Sequence, residues 1–270
     1  MGSASVFRWR SRRVGLATLV AFSLVGQSRS AAGGELTAQE IVDRALARNA
    51  FGFQNAVAKL TLRLGAKDGS EHVREIEIRS LEQRQLGKTL VRFLSPPDVA
   101  GTGFLVLENE GRDDDQYLYL PALGKVKRIT NTQRNQRFMG TDLTYADLES
   151  RDLKKAELKR LADATVSENP TYVIEATPKD GKESEYGKTV SFIHQVSFVP
   201  LRVEFYDKGL KLLKVLTVAR LEKKEGHWVV MESTVKNEQA GTRTQTVVVD
   251  IDFKAKLSEA EFTERALAGG

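Results

Sequence analysis

The sequence predicts a mainly β protein with few helices, in which one large antiparallel sheet curls and carries helices on its concave face. Apolar residues alternate with a period of two in roughly ten to twelve short runs between residues 58 and 254. Turn signals such as Asp68-Gly69 and Lys208-Gly209 separate these runs at hairpin spacing. Because a sheet of this size curls to protect its faces, the few apolar helices are expected to pack against the concave side.

Residues 1–32 have the three-part layout of an export signal. "MGSASVFRWRSRR" carries four arginines and no acid, "VGLATLVAFSLV" is an apolar run of twelve residues, and a small polar stretch follows. The apolar run is shorter than the roughly 20 residues of a membrane span, and a membrane-anchored start is the alternative. "SRRVGL" also resembles a twin-arginine signal, with Gly15 where a large apolar residue is usual. We expect cleavage between Arg29 and Glu35.

The basic character of the chain comes from this segment. The full sequence has 41 basic and 36 acidic residues, and residues 1–32 contribute five arginines and no acid, which leaves 41 − 5 = 36 of each. Without residues 1–32 the chain has a formal net charge of zero, which gives no reason to expect nucleic acid as a partner. The chain has no cysteine, so it has no disulfide and no site for lipid attachment. We therefore expect a periplasmic protein that is not a lipoprotein, with one domain over residues 33–267.

The first element after the signal is an amphipathic helix. In "LTAQEIVDRALARNA", Thr37 and Glu40 have the spacing of a capping box. A helical stripe follows, formed by Ile41, Val42, Ala45 and Leu46. The helix is expected over residues 37–49, with its stripe on the concave face of the sheet.

Strands come next. "AKLTLRLGAKDGSEHVREIEIRS" predicts a hairpin, and "KTLVRFLSPP" predicts a strand that ends at Pro96. "GTGFLVLEN" is apolar on both parities, so both faces of that strand should be covered. "QYLYLP" and "KVKRIT" predict two short strands joined by a Pro-Ala-Leu-Gly turn.

The middle of the chain interrupts the strands. Asp142 or Thr144 can cap a short helix that places Tyr145 and Leu148 on one side. "KKAELKRLADATV" suits either a helix or a strand, and the surrounding hairpins favour a strand. After Pro170, strands are predicted in "TYVIEATP", "KTVSFIHQVSFVPLRVEFYD", "LLKVLTVARLEK", "HWVVMESTVKN" and "RTQTVVVDIDFK". "SEAEFTERALAGG" predicts a turn, a short helical piece and a loose tail.

No stretch carries a recognisable catalytic or metal-binding signature. The three histidines, His72, His194 and His227, lie in separate strands without a helical pair. "ENEGRDDDQ" lacks the alternation of a calcium loop, and "AGTGF" lacks the third glycine and the helix of a phosphate loop. We expect no cofactor, no metal and no enzymatic activity.

Several stretches taken together resemble one family: "YLYLPALGKVKRI", "QRFMGTDLTYADL", "PLRVEFYDKGLKLLKVLTV", Trp228 and "FTERAL". As a set they are similar to the LolA-like family of outer-membrane lipoprotein-sorting proteins, in its subfamily of uncharacterised exported proteins. The resemblance runs from about Leu36 to Leu267. It implies an incomplete, strongly curved antiparallel β-barrel with a helical lid over an apolar cavity. The residues that match the family's motif region are Asp115, Tyr119, Pro121, Arg128, Gly140, Asp142, Tyr145 and Asp147.

We expect the ligand-binding cavity to be lined by large apolar side chains on the strands and at the entrance of the lid: Phe93, Phe104, Val106, Tyr117, Tyr119, Phe138, Met139 and Trp228. The sequence does not decide whether the tyrosines or Leu118 and Leu120 face inward. We also expect Arg128 to pair with Asp142 or Asp147 and so to latch the mid-chain helix over the sheet. The alternative is that Arg128 is solvated and that Gly140-Thr-Asp only caps a helix.

The resemblance implies a periplasmic carrier that holds lipid or lipoprotein acyl chains, either for outer-membrane lipoprotein sorting or for lipid transport. Its partners would include an inner-membrane transporter or an outer-membrane acceptor. The alternative is a non-enzymatic envelope scaffold that docks on a membrane transporter without a ligand. A concave face filled by the protein's own Phe and Leu side chains would favour the scaffold. A third alternative is an envelope hydrolase, which a converging acid or His cluster in a pocket would support.

Overall fold

The computed structural model describes residues 35–46, 53–149, 156–180 and 184–269. The predicted export signal, residues 1–32, lies outside the described residues. The elements described below belong to one compact unit, Leu36–Gly270. In these described ranges, no helix has both the length and the apolar character needed to cross a membrane.

Thirteen strands form one antiparallel sheet in the described part of the chain, slightly more than the predicted number. The stretch "KKAELKRLADATV" contributes a strand, as its hairpin setting favoured. The strands are β1 (Ala56–Gly65), β2 (Glu71–Gln83), β3 (Leu86–Ser95), β4 (Gly103–Leu107), β5 (Asp115–Leu120), β6 (Lys125–Arg128), β7 (Ala156–Val166), β8 (Asn169–Pro178), β9 (Tyr186–His194), β10 (Pro200–Asp207), β11 (Leu212–Lys224), β12 (His227–Asn237) and β13 (Thr242–Asp252).

The order of the strands across the sheet is β6-β5-β4-β3-β2-β1-β13-β12-β11-β10-β9-β8-β7. Two runs of consecutive hairpins are therefore joined at the centre, where β1 pairs with β13 along nearly its full length. β6 and β7 remain as separate edges, so the curved sheet does not close. This is the curled antiparallel sheet that the strand pattern predicted and the incomplete barrel that the resemblance implied.

β4 is covered on both faces, as its doubly apolar sequence predicted. Phe104 and Val106 point into the main core on the concave side. Leu105 points to the opposite face, where it packs against Leu267 and Phe262. All three strand residues are buried.

The first helix, α1 (Ala38–Leu46), starts where the capping box predicted. The backbone N–H of Thr37 donates to Glu40 Oε2 at 2.8 Å, and the N–H of Glu40 donates to Thr37 Oγ1 at 3.2 Å. Ile41 and Val42 are buried against Ile174 of β8 and Ile193 of β9. α1 therefore covers the β8–β9 part of the concave face. The predicted helical residues 47–49 lie outside the described residues.

The second helix, α2 (Glu264–Leu267), lies on the convex face, contrary to the expectation that the apolar helices pack only on the concave side. The guanidinium of Arg92, on β3, donates to the carbonyl oxygens of Leu267 at 2.7 Å and of Ala266. Gly103 leaves room for the helix, since a Cβ there would lie 2.6 Å from Leu267 Cδ1. The stretch "FTERAL" is thus a cover for the convex side of β3 and β4.

The mid-chain segment, residues 131–149, covers the β1–β5 part of the concave face. It contains three single 3₁₀ turns, at Asn131–Gln133, Phe138–Gly140 and Ala146–Leu148. The predicted helix is thus reduced to one turn, in which the N–H of Thr144 donates to Asp147 Oδ2 at 2.8 Å and the N–H of Asp147 donates to Thr144 Oγ1 at 3.2 Å. Tyr145 and Leu148, which the predicted helix placed on one side, are both buried beneath it.

Candidate ligand-binding cavity

A cavity of about 280 Å³ lies between α1, the mid-chain segment and the concave face of the sheet. Val42 and Leu46 of α1 form one wall, and Phe138 and Leu148 of the mid-chain segment form another. Most of the floor is aliphatic and comes from both halves of the sheet: Leu60, Leu62, Ile76, Ile174, Ile193, Val203, Leu216, Val218, Val230, Val235 and Val248.

One wall of the cavity rests on a cluster of aromatic rings. The ring centroid of Phe138 lies 4.9 Å from that of Phe104 and 6.0 Å from that of Phe93. Tyr145 packs on the same group, with its ring centroid 5.6 Å from both Phe104 and Phe138. Offset and edge-on ring pairs of this kind stabilise a core beyond their buried area. The mid-chain segment is thus anchored by its own side chains, which fill the β1–β5 half of the concave face.

A buried ion pair fixes the mid-chain segment to the other half of the sheet. Lys214 Nζ, on β11, lies 2.6 Å from Asp147 Oδ2, and both side chains are at most 3% exposed. The ammonium also donates to the carbonyl oxygen of Asp142 at 3.0 Å. The hydroxyl of Tyr186 donates to the two Asp147 oxygens at 3.0 and 3.1 Å. A buried charge is tolerated only when it is paired and hydrogen-bonded, and here both charges are.

Asp142 forms the second attachment of the segment. Its carboxylate accepts hydrogen bonds from the hydroxyls of Thr242, at 2.5 Å, and Thr244, at 2.8 Å, both on β13. Its backbone N–H donates to Thr244 Oγ1 at 2.8 Å, and Arg137 pairs with the same carboxylate. Asp142 and Asp147 therefore both attach the mid-chain segment to the sheet.

The predicted partner of these acids was wrong. Arg128 is exposed and pairs with Asp115 of the neighbouring strand, as does Arg112. Hydrogen bonds from Arg112, and further ones from Asn109 and Arg128, hold the pKa of Asp115 well below its usual range. Arg128 thus stabilises the β4–β6 end of the sheet, while the latch uses Lys214 and two threonines from strands far away in the sequence.

Among the described residues, two carboxylates line the cavity, and each has a cationic partner. Asp147 pairs with Lys214. Glu149 is held by Arg134, whose Nε lies 3.2 Å from Glu149 Oε1 and whose Nη1 also lies 3.0 Å from Asp113. Six hydroxyl side chains complete the polar lining: Thr141, Thr189, Ser191, Ser233, Thr244 and Thr246.

The predicted lining residues fall into three groups. Phe138 lines the cavity. Phe93, Phe104 and Val106 are buried below it in the aromatic cluster and its surroundings, and Met139 is half-buried on the same core.

The remaining three lie elsewhere. Tyr117 and Tyr119 are on the convex face beside α2, so their placement in the cavity was wrong. Leu118 and Leu120 take the concave side instead. Trp228 is half-buried outside the lining, edge-on to His194 with 6.2 Å between ring centroids.

Sequence reasoning missed Lys214 and the hydroxyls of the floor. Lys214 has the same strand parity as Leu216 and Val218, so it stands at a core-facing position in an apolar strand. A lysine at such a position requires a buried partner, and this was the signal that could have found it. Thr244 and Thr246 likewise precede Val248 on the inward parity of β13.

Comparisons with known proteins identify the family. A family model described only as "-like: Uncharacterized protein" matches residues 85–269. A crystal structure from Vibrio parahaemolyticus, provisionally described as an outer membrane lipoprotein-sorting protein domain, is 32% identical, with a TM-score of 0.78 over 86% of this chain and 100% of that one. No match is found among curated proteins.

Two further solved structures have the same fold. A DUF1329 family protein from Desulfovibrio piger is 26% identical, with a TM-score of 0.76 over 85% of this chain and 98% of that one. A LolA superfamily protein from Nitrosomonas europaea is 19% identical, with a TM-score of 0.66 over 86% of this chain and 100% of that one. The chain belongs to the LolA-like family of outer-membrane lipoprotein-sorting proteins.

Proposed function

We propose that this protein is a periplasmic carrier that holds a lipid or lipoprotein acyl chain in the cavity between α1 and the mid-chain segment. The observation that carries the proposal is the cavity itself, because its floor and walls are mostly aliphatic. Two covers that are attached separately, α1 and the mid-chain segment, enclose it. Burial of an acyl chain there is favourable by about 0.8 kcal/mol per CH₂. Membership of a lipoprotein-sorting family supports the same ligand class and location.

The size of the cavity indicates how a ligand would enter. About 280 Å³ is just below the roughly 300–1,000 Å³ of typical small-molecule sites. A long acyl chain therefore requires one cover to move. α1 is the better candidate, because its described part is attached mainly by Ile41 and Val42, whereas the mid-chain segment is fixed by ion pairs and aromatic packing. A donor in the inner membrane and an acceptor in the outer membrane would act on this cover.

The scaffold alternative keeps one specific observation in its favour. The β1–β5 half of the concave face is filled by the protein's own rings, including Phe93, Phe104 and Phe138. The hydrolase alternative has less support, since the two carboxylates that line the cavity are each paired with a cation.

Filling the cavity from its floor distinguishes the carrier from the scaffold. Ser233 faces the cavity, and the next residue on β12, Thr234, faces the opposite side of the sheet. Ser233→Phe should abolish uptake of a neutral apolar dye such as N-phenyl-1-naphthylamine, while the matched control Thr234→Phe should keep it. Circular dichroism and thermal melts verify that both variants fold. If wild-type protein takes up no dye and no acyl probe, the carrier proposal fails and the scaffold replaces it.

A further inference from the structure

The floor of the cavity carries hydroxyls that the fold does not use. Thr189 and Ser191 of β9, Ser233 of β12 and Thr246 of β13 all line the cavity, and none of them makes a side-chain hydrogen bond within the described part of the chain. Ser233 and Thr246 are directly opposite each other on paired strands. Buried or half-buried hydroxyls usually have a partner, so these four are available to a ligand.

Two of these hydroxyls, Thr189 and Ser191, lie at an end of the cavity that is polar. The strand registers place Thr189 opposite Phe205 and Phe205 opposite Lys214, so Thr189 is in line with the buried ion pair of Lys214 and Asp147. Ser191 and Thr244 lie one inward-facing position further along their strands. We name the group Thr189, Ser191, Thr244 and Asp147 the polar end. The other side of the floor, at Leu60, Ile76 and Val248, is purely aliphatic. The cavity is therefore amphipathic.

The polar end offers hydrogen bonds without an available positive charge. The residues that line the cavity in the described structure include two carboxylates and no lysine, arginine or histidine. Lys214, Arg137 and Arg134 are paired with Asp147, Asp142 and Glu149, respectively. Glu185 interacts electrostatically with Lys214 and Arg137, and its buried Oε2 has no hydrogen-bond partner among the described residues. An anionic head group would thus be buried beside acids without a cation to compensate it.

We propose that the polar end binds the uncharged, hydrogen-bonding head of a single-chain lipid, such as the glycerol ester of a monoacylglycerol, with its acyl chain along Leu60, Ile76 and Val248. This inference rests on the proposed carrier function and adds the class of ligand. The head group's hydroxyl and ester oxygens match Thr189 and Ser191 of the polar end. They also match Thr246, one inward-facing position beyond Thr244, and Ser233 opposite it. Each of these hydroxyls can donate or accept. The small volume of the cavity suits one chain.

The test compares lipids that share one chain length and differ in the charge of the head. 1-Monolauroylglycerol, laurate and dodecylamine are titrated below their critical micelle concentrations against the mature protein preloaded with N-phenyl-1-naphthylamine. At pH 8 the monoacylglycerol should bind at least about tenfold more tightly than either charged probe, a difference of about 1.4 kcal/mol. Equal or tighter binding of laurate or dodecylamine overturns the inference and leaves the carrier function standing.

A near-isosteric variant tests whether the four hydroxyls cause the preference for the uncharged head group. The variant with Thr189→Val, Ser191→Ala, Ser233→Ala and Thr246→Val should bind monolauroylglycerol about tenfold more weakly, because hydrogen bonds to the head are lost, while its affinity for dodecylamine stays within about twofold. Thr217→Val with Thr234→Val, on the other side of the sheet, is the matched control and should change neither value. An unchanged preference in the cavity variant overturns the inference. If wild type binds none of the three probes, the carrier function fails as well.

Discussion

Replacement of Lys214 by methionine should strongly destabilise the protein, because it leaves the Asp147 carboxylate buried without its cation. Asp147 is 3% exposed at its side chain, and without Lys214 the Tyr186 hydroxyl and the Thr144 N–H still donate to it but bring no positive charge. Removing one partner of a buried ion pair typically costs about 3–5 kcal/mol. Since whole domains are stable by about 5–15 kcal/mol, Lys214→Met should lose a large fraction of the free energy of unfolding.

The double variant Lys214→Met with Asp147→Asn is the matched control. It removes both charges together, and an asparagine can still accept from Tyr186 and from the Thr144 N–H. Replacing both members of a buried pair by neutral groups is often close to neutral. We therefore expect the double variant to recover most of the stability that the single variant loses, which is a large coupling energy in the double-mutant cycle.

Urea unfolding followed by tryptophan fluorescence measures these differences. The chain has two tryptophans, and Trp9 falls in the predicted signal, so Trp228 is the single reporter of the mature protein. A loss below about 1 kcal/mol in Lys214→Met, as for an exposed ion pair, would refute the structural role of this pair. A double variant as unstable as the single one would refute the argument from the unpaired charge.

Three more predictions test other contacts. Asp142→Ala should increase amide hydrogen exchange across residues 138–149, because it loses the β13 threonines, whereas Arg128→Leu should leave that exchange unchanged. Burial raises the pKa of Glu185 above its ordinary 4.5, so its protonated form favours folding. The contribution of Glu185 to the free energy of unfolding is fully present below pH 4.5. It is lost as the pH rises through the raised pKa of the folded state. Glu185→Gln should remove that part of the pH dependence in urea titrations. Leu267→Ala should cost about 2–5 kcal/mol and expose the C-terminal segment to limited proteolysis, and a proteolysis rate equal to that of wild type would contradict its packing on the convex face.

The local features of the fold could be predicted because short-range patterns determine them. The capping box of Thr37 and Glu40 fixes the start of α1, and alternation with turn signals fixes the hairpins. The doubly apolar β4 correctly indicated a strand covered on both faces. What covers each face was not predictable, since α2 reaches β4 from about 160 residues away in the sequence, beyond any periodicity rule.

The candidate site was predicted less well because it depends on pairing between distant strands. Parity places Tyr117 and Tyr119 together but cannot say which side of the sheet is concave. Asp142 and Asp147 were recognised as attachment points, yet their partners Thr244 and Lys214 become neighbours only when β1 and β13 close the two halves of the sheet. Arg128 lies on a strand near these acids in the sequence, but Asp115 on the neighbouring strand β5 pairs with it locally, and Arg137 pairs with Asp142 instead.

The carrier function is tested most directly by native mass spectrometry of the full chain, expressed with its own signal and recovered from the periplasm, followed by organic extraction of the bound molecule. Wild type should carry one single-chain lipid per protein, the Ser233→Phe variant should be empty, and Thr234→Phe should be loaded like wild type. A wild-type protein that carries no lipid in this experiment, and takes up no acyl probe afterwards, would contradict the carrier function.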